Sequence, residues 1–565
     1  MKTTYIGLAN SPHDPAIAIV NNEGEILFAE GSERLLQNKR AWCSPADDLF
    51  RIKSLLKEHA QDAERLVIAK TWESNYINAF TSSAQISKEV DKQTEGEQFI
   101  SVFYNMLASG FNDRVGGQCA FRAFQQNPKI QIEFKSFSHH LCHAANSCFT
   151  SPYSEGICVI VDNAGETTGL SIYRYQDGLL EELSGNAKSK ASLGQYYAIM
   201  TDLCGFDPIA GEEWKVMGLA PYGQLNQDIY EILSSLHEVQ DILLIESSDI
   251  DERIENLIVL SENQGQDFKK DLAYTSQYVY CELMTRLLVN IQNKYQADTL
   301  MLGGGCALNS SYNGTIIGNT RFKNLYIPSA PGDDGNAIGA ALLAYSQENN
   351  HGMKPRGRVT PYLGTALDDD ALKRLDLFNK TVQHFSCFDK LADHIAHELS
   401  QGKIVGWVQG RAEFGPRALG NRSILADPRN KEIKNILNSK VKFRESFRPF
   451  APSILHEYGD EYFEAYQASP FMERTLKFKK EVLSKVPGVV HVNHTGRLQS
   501  VKREWNQRYY DLIKAFYIKT GVPILLNTSL NIMGKPIVHS VEDAVALFYT
   551  SGLDILVLDN YVLVK

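Results

Sequence analysis

One pattern, present twice, constrains this chain more than any other. Residues 5–9 and 16–20 are short apolar runs separated by the turn Asn10-Ser-Pro-His-Asp-Pro15. The hairpin signal Asn21-Asn22-Glu23-Gly24 then leads into an alternating run at 25–29. The layout returns at 156–161, an apolar strand that stops at Asp162. A polar turn, Asn163-Ala-Gly-Glu-Thr167, follows, then a strand at 169–173. The hairpin turn Gln176-Asp177-Gly178 leads to a third short strand. Strand, acidic turn, strand, hairpin and strand, repeated and each time continued by helices and strands, predict two α/β lobes around a cleft.

Duplicated lobes of this kind build sugar kinases, actin and the Hsp70 ATPases. Further on, a strand at 298–302 runs into Gly303-Gly304-Gly305, with a helix starting at Asn309. A strand at 324–327 runs through Pro328-Ser-Ala-Pro-Gly-Asp-Asp-Gly335 into a small-residue helix at 337–345. Strand–glycine turn–helix units aim backbone N–H groups and a helix N-terminus at an anion; they also occur as ordinary tight turns. Two of them after the duplicated openings point to a nucleotide cleft. The polar stretch from Glu348 to Arg358 reads as a linker between domains spanning 1–355 and 356–565.

The chain is long enough, at 565 residues, for several cores, and its net charge is −10. A surface for polyanions needs the opposite sign, so neither nucleic acid nor an anionic membrane is expected as a partner. No run approaches the ~18 apolar residues of a membrane span. The N-terminus reaches His13-Asp14 before any signal-length apolar run forms. Nine Cys without a CxxC pair or zinc spacing read as thiols of a reducing compartment. A cytoplasmic protein is expected, as a monomer or homodimer.

Four constellations carry chemistry. His139-His140-Leu-Cys-His143 puts two imidazoles at i and i+4, one helical face, where they suit adjacent positions on a divalent ion. Asp162 and Asp333 are available to complete the shell. Such a His₂Asp₂ set suits iron, manganese, zinc or magnesium; clustered histidines also occur as plain polar groups. Gly303, Gly304 and Gly305 with Asn309 would cradle phosphate and ribose. Lys215 would reach a phosphate, or simply sit beside Glu212 and Glu213. The third constellation is an arginine array. Arg411, Arg417 and Arg422 fall within twelve residues, followed by Lys442-Phe-Arg444-Glu-Ser-Phe-Arg448, Arg497 and Asn527-Thr-Ser529-Leu-Asn531. Guanidinium forks beside Ser and Asn suit a small phosphorylated or carboxylate ligand, the other reading being structural salt bridges. Last, His13 on the turn after the first strand is placed to take a proton from a substrate hydroxyl, or to be capped by Asp14.

Together these segments resemble the NodU/CmcH-type O-carbamoyltransferase family, which includes the tobramycin carbamoyltransferase. The resemblance spans nearly the whole chain. It rests on His13-Asp14, Glu33-Arg34, His139-His140-Leu-Cys-His143, Lys215-Val-Met-Gly-Leu-Ala-Pro-Tyr-Gly223, Gly303-Gly-Gly and Gly332-Asp-Asp-Gly335. It continues through Glu413-Phe-Gly-Pro-Arg-Ala-Leu-Gly-Asn-Arg-Ser423, Phe447-Arg-Pro-Phe-Ala-Pro-Ser453 and Leu526-Asn-Thr-Ser-Leu-Asn531.

The resemblance implies an α/β protein: a duplicated actin/Hsp70-like (ASKHA) two-lobe domain like the threonylcarbamoyl-transfer proteins, then a YrdC-like α/β domain. It also implies a reaction. ATP and carbamoyl phosphate give carbamoyl-adenylate in the second domain, and the metal-bearing first domain moves the carbamoyl group to a hydroxyl of a small natural product. Carried over by position, His139, His143, Asp162 and Asp333 are the metal ligands and His13 the base. Lys442, Arg444, Ser529 and Asn531 line the small-ligand site, with Arg417, Arg448 and Arg497 adding charge. The acidic balance points to a cationic acceptor, an amine or guanidinium compound, shaped in part by residues 71–130. A tRNA threonylcarbamoyl-transfer relative and a nucleotide-binding regulator without catalysis are the competing readings. Two positions depart from the family pattern: Asn163 stands in place of the first turn glycine, and Leu530 replaces a Phe.

Overall fold

The structure, a computed structural model, describes residues 2–73, 130–183, 191–261, 265–349, 359–378 and 382–565. Its first sheet contains β1 (Thr3–Ala9), β2 (Ala16–Val20), β3 (Ile26–Gly31), β4 (Arg65–Thr71) and β5 (Gln131–Phe137) in the order β3-β2-β1-β4-β5. The first three strands are antiparallel neighbours, and β4 and β5 join in parallel.

The next strands are β6 (Glu155–Val161), β7 (Leu170–Gln176), β8 (Leu179–Glu182), β9 (His237–Gln240), β10 (Leu243–Glu246), β11 (Thr299–Gly303) and β12 (Asn324–Tyr326). β9 and β10 form a separate ribbon, and the other five run β8-β7-β6-β11-β12. Again the first three are antiparallel and the last two parallel. The two sheets share one strand order and one set of directions, so the expected duplication and two-lobe architecture are present.

Two helices lie between these sheets, His139–Phe149 and Asn336–Asn349. Small residues let them press together. A Cβ on Gly339 would sit 2.0 Å from the Cys142 carbonyl oxygen, and one on Gly7 of β1 would sit 1.8 Å from that of Ala337. Glycine is required at both contacts because nothing larger fits. The close seam delivers the start of one helix and the turn before the other to the same point in the cleft.

The third sheet comprises β13 (Val382–His384), β14 (Val405–Val408), β15 (Arg422–Ala426), β16 (Ala451–Leu455), β17 (Arg474–Lys477), β18 (Thr495–Val501), β19 (Ile524–Ser529), β20 (Ile555–Leu558) and β21 (Tyr561–Val564). It is a mixed sheet in the order β13-β21-β20-β14-β15-β19-β16-β18-β17. Helices Phe388–Ser400 and Gln507–Thr520 pack into its core through Leu391, Ile395, Leu512 and Phe516.

This part is fixed to the lobes. Phe414, Leu419, Phe471 and Met472 share a core with the first sheet. The buried Glu30 pairs with Arg51 and accepts the Thr365 N–H at 2.7 Å, with His539 Nε2 at 3.2 Å. The reading of Glu348 as linker is corrected here. It ends the helix Asn336–Asn349, where Arg65 (2.7 Å), Lys135 (2.8 Å) and the Tyr5 hydroxyl (2.9 Å) hold it. Residues 350–358 lie outside the described residues. Among those described, no helix is long and apolar enough to cross a membrane.

Candidate active site

The four expected ligands converge at the base of the cleft. His139 and His143 share the inner face of helix His139–Phe149, Asp162 follows β6, and Asp333 opens the turn before Asn336–Asn349. Asp162 Oδ2 is 3.2 Å from each histidine Nε2, and Asp333 Oδ1 is 3.4 Å from that of His139 and 3.5 Å from that of His143. The two Nε2 atoms face each other at 3.2 Å. Two bare lone pairs repel at that distance and two N–H groups clash, so the gap holds either a shared proton or a cation bound by both nitrogens. Ligand atoms around an ion with bonds near 2.1 Å stand roughly 3.0–3.5 Å apart, which this donor set matches.

The two carboxylates make this cluster attractive to positive charge, a proton included. Burial alone would lower the pKa of His139, but Asp333 and Asp162 outweigh it and push it up to about 10. His143 moves the same way, and the imidazoles hold both carboxyls below their usual range despite burial. His140 is different. Burial, then the neighbouring His139, pushes it down to about 3, and its Nδ1 lies 2.7 Å from Ser171 Oγ. It stands as a neutral packing group beside the cluster.

The surroundings aim these ligands. Trp72 stacks on His139 with centroids 4.0 Å apart and planes at 20°. Asn336 Nδ2 lies 3.3 Å from His139 Nδ1. Glu166 accepts the His139 backbone N–H at 2.9 and 3.1 Å, closing the helix N-terminus. Gly305 N–H donates to Asp162 Oδ1 at 2.9 Å. Gly304 has φ 86°, and a Cβ there would lie 2.3 Å from the Val161 carbonyl oxygen; one on Gly303 would lie 2.5 Å from Ser147 Oγ. These glycines thus bring β11 tightly against β6 and the histidine helix. Asn309 caps a short helix through the Tyr312 N–H (3.1 Å) and pairs with Gln277 (3.0 Å).

His13 stands at the rim of this cluster. Its Nδ1 is 3.0 Å from Asp14 Oδ2 and 3.8 Å from Asp333 Oδ2. Asp14, with φ 55°, also accepts Arg40 Nε at 3.1 Å. A hydrogen on Nδ1 directed at Asp14 leaves Nε2 as the acceptor. Trp42 packs edge-on to the ring at 5.1 Å and donates to the Ile209 carbonyl at 3.1 Å, as Arg40 Nη1 does. The turn of the first lobe is thereby pinned to the second.

The arginine array divides in two. Arg422 is fully buried and donates to the carbonyls of Gln409, Thr365 and Gly410 at 2.9–3.0 Å. Arg411 donates to the carbonyls of Gly364 (3.0 Å) and Leu27 (2.8 Å). Both are structural. Glu413, which composition did not single out, accepts the N–H groups of Leu419 (2.7 Å), Asn421 (2.8 Å) and Arg422 (3.1 Å) and shapes the loop that presents Arg417.

The others face open space. Lys442 Nζ reaches Asn531 Oδ1 at 2.7 Å, Ser529 Oγ at 3.3 Å and the Ser529 carbonyl, and pairs with no carboxylate among the described residues. Burial, then Arg444 and Arg448, depress its pKa. Arg444 donates to Asn438 Oδ1 at 2.8 Å and lies 4.5 Å over Phe450, while its Nη2 is buried without a partner. Burial lowers Arg444 to about 9 and Arg497 to about 10; Arg497 Nε is also unpartnered. Burial and Arg497 depress Arg417. Buried guanidinium groups without an ion pair among the described residues suit an anionic ligand. Arg448 and Lys215 instead hold Glu445, at 2.6 and 3.2 Å.

A single cavity of about 1610 Å³ joins these parts. His13, Asp162 and Asp333 line one end, Arg417, Lys442, Arg444, Arg497, Ser529 and Asn531 the other, and Lys215, Gly305, Asn309 and Arg448 also border it. His139 and His143 lie behind its wall, as do Gly303 and Gly304. Arg40 and Trp42, which no sequence signal marked, also border it, as does Trp72 of the expected acceptor-shaping segment. Residues 74–129 of the expected acceptor-shaping segment lie outside the described residues.

Comparison with known proteins gives a consistent result. The family profile described as the carbamoyltransferase N-terminus matches residues 4–342, and that of the C-terminus matches 396–565. An uncharacterised Synechocystis protein, sll1178, is 35% identical over 470 residues, covering 76% of this chain and 75% of its own. Nodulation protein NolO of Bradyrhizobium diazoefficiens is 34% identical over 76% of this chain and 79% of its own. Nodulation protein U of Sinorhizobium fredii is 26% identical over 93% of each. Among solved structures, full-length HypF with phosphate and nucleotide aligns over 61% of this chain and 56% of its own. Its 12% identity and TM-score of 0.37 make that likeness too loose to argue from.

Proposed function

This chain belongs to the carbamoyltransferase family and is a carbamoyl-transferring enzyme; from that premise we propose that it is an ATP-dependent O-carbamoyltransferase working through carbamoyl-adenylate. The supporting observation is the shared cavity, with unpaired cations at one end and His13 beside a metal-type cluster at the other.

In this reading water attacks carbamoyl phosphate among Lys442, Arg444, Arg417 and Arg497, breaking its anhydride bond and leaving phosphate and carbamate. The carbamate oxygen attacks the α-phosphorus of ATP, and pyrophosphate leaves. ATP and carbamoyl phosphate bring several negative charges together, and depressed, desolvated cations compensate them. Ser529 and Asn531 orient Lys442, in the manner of a YrdC-like domain.

Transfer follows at the other end. His13 Nε2 takes the proton of the acceptor hydroxyl, whose oxygen attacks the carbamoyl carbon, and AMP departs. Asp14, held by Arg40, stabilises the imidazolium that forms. His139, His143, Asp162 and Asp333 would hold a divalent ion, supplying Lewis acidity toward the leaving phosphate side. The acceptor is a small hydroxylated metabolite, a cationic one by the charge argument, met in the cytoplasm.

The test is direct. Supplied with ATP and carbamoyl phosphate, the enzyme should release pyrophosphate and form carbamoyl-adenylate. No pyrophosphate with any of iron, manganese, zinc or magnesium overturns the proposal.

A further inference from the structure

The segment that brings Lys442, Arg444 and Arg448 to the cavity also carries an acid, Glu445, which the proposed chemistry does not use. Its Oε1 lies 3.2 Å from Lys215 Nζ, and its Oε2 lies 2.6 Å from Arg448 Nη2. Lys215 belongs to the helix Glu213–Leu219 of the second lobe and also pairs with Glu212. Arg448 lies 4.2 Å over the ring of Trp214, the residue before Lys215. Phe447 packs on the same side: its ring is 6.5 Å from that of Tyr222, whose hydroxyl donates to the Phe447 carbonyl at 3.5 Å. A Cβ on Gly218 would meet Phe447 and Pro449 at 3.8 Å. One short segment therefore holds the ligand-facing cations and the dock onto the transferring lobe.

Trp214, Lys215, Gly218, Glu445 and Arg448 all border the cavity, so this seam is part of its wall. The Lys215 side chain is only 8% exposed. Removing one member of a half-buried ionic pair leaves its partner uncompensated. We infer that Glu445 is a positioning residue that latches the activating domain to the second lobe and keeps the wall closed to bulk water while carbamoyl-adenylate is present. The inference rests on the function proposed above. With the seam open, water attacks the carbamoyl carbon and AMP leaves with the electrons of the broken C–O bond. Carbamate is lost and ATP is consumed without transfer.

The experiment uses the full chain with ATP and carbamoyl phosphate alone, no acceptor being added. Wild type should release pyrophosphate in a burst and then turn over slowly, because retained adenylate blocks the site. In Glu445→Gln the burst should keep its amplitude while the slow, AMP-releasing phase rises about tenfold. Lys215→Met should do the same, and the double variant should leak no faster than either single one, since both break one latch. General loss of structure would shrink the burst instead, and thermal melting checks for it. An unchanged slow phase in both single variants overturns the latch, as does a double variant that leaks by the product of the two effects. Absence of any burst in wild type overturns the underlying function and the latch with it.

Discussion

At position 13 the chain concentrates its proton chemistry in a small space. The imidazole is oriented by Asp14, which is itself held by Arg40, so the acceptor nitrogen is fixed before a substrate arrives. His13→Asn should leave pyrophosphate release intact and lower carbamoylation of an alcohol acceptor by about 10²–10⁴-fold. Arg444→Ala should do the opposite, cutting pyrophosphate release by about 10²-fold while supplied carbamoyl-adenylate is still consumed. Mass spectrometry of the product and a pyrophosphate assay separate the two, and a His13 variant that transfers normally refutes the base. Trp72 makes a different kind of statement. A bulky residue at φ 70° is strained, and the strain persists only where surroundings impose it. Here the indole lies flat on His139 and donates to Ser11 Oγ at 3.1 Å. Trp72→Ala should weaken metal binding by about 10–100-fold, as loss of a ligand-orienting neighbour does; titration with the metal alone reads this without any assay of activity.

Single elements explain how far the sequence could be followed. The strands of both openings were legible because hairpin turns bound them, and β2 was placed to the residue. The i, i+4 histidines needed only a helix to become one face. The arginine array was legible as a group but not in its division. Arg422 and Arg417 sit in the same motif, and what separates them is a cage of carbonyls from Gln409, Thr365 and Gly410 that only the third sheet assembles. Glu348 misled for the same reason: in sequence it borders a polar Gly/Pro stretch, while its partners Tyr5, Arg65 and Lys135 are distant in the chain. The Gly303–305 turn reads alike in sequence for tight packing and for phosphate binding, because both select glycine; the structure adds the packing against β6 and the histidine helix. Glu166 marks the gain from structure. It closes the N-terminus of His139–Phe149 with two contacts to one N–H, and its negative charge also suits that end of the helix. Glu166→Gln should cost about 1–2 kcal/mol of stability by denaturant melting. It should also lower metal affinity, since His139 is the residue it anchors; unchanged affinity would limit Glu166 to a purely structural role.

Taken whole, the molecule uses its net charge of −10 as an average that hides a cationic cavity end. Its three large sheets must stay registered for that cavity to exist, and the fixings lie on both sides. On the first lobe the fixing is Glu30, buried at 1% exposure among Arg51, His539 and the Thr365 N–H. Burial by itself would raise its pKa; Arg51, His539 and Thr365 overcome that and hold it well below the carboxylate range. A group depressed on folding stabilises fully above its unfolded pKa, near 4.3 for Glu, and loses that contribution as pH falls toward the folded value. Glu30→Gln leaves Arg51 short of a counter-charge and should cost about 3–5 kcal/mol at neutral pH. The melting-temperature gap between wild type and variant should therefore be widest above about pH 5 and narrow steadily below about pH 4, where the unfolded chain's carboxylate takes up a proton and the native one does not. A gap that stays constant down to pH 3 would mean that Glu30 stabilises through shape and not charge. Because this acid ties the first lobe to the third sheet, the neutral-pH variant should also release pyrophosphate more slowly, as the cation cluster loses its register with the cleft.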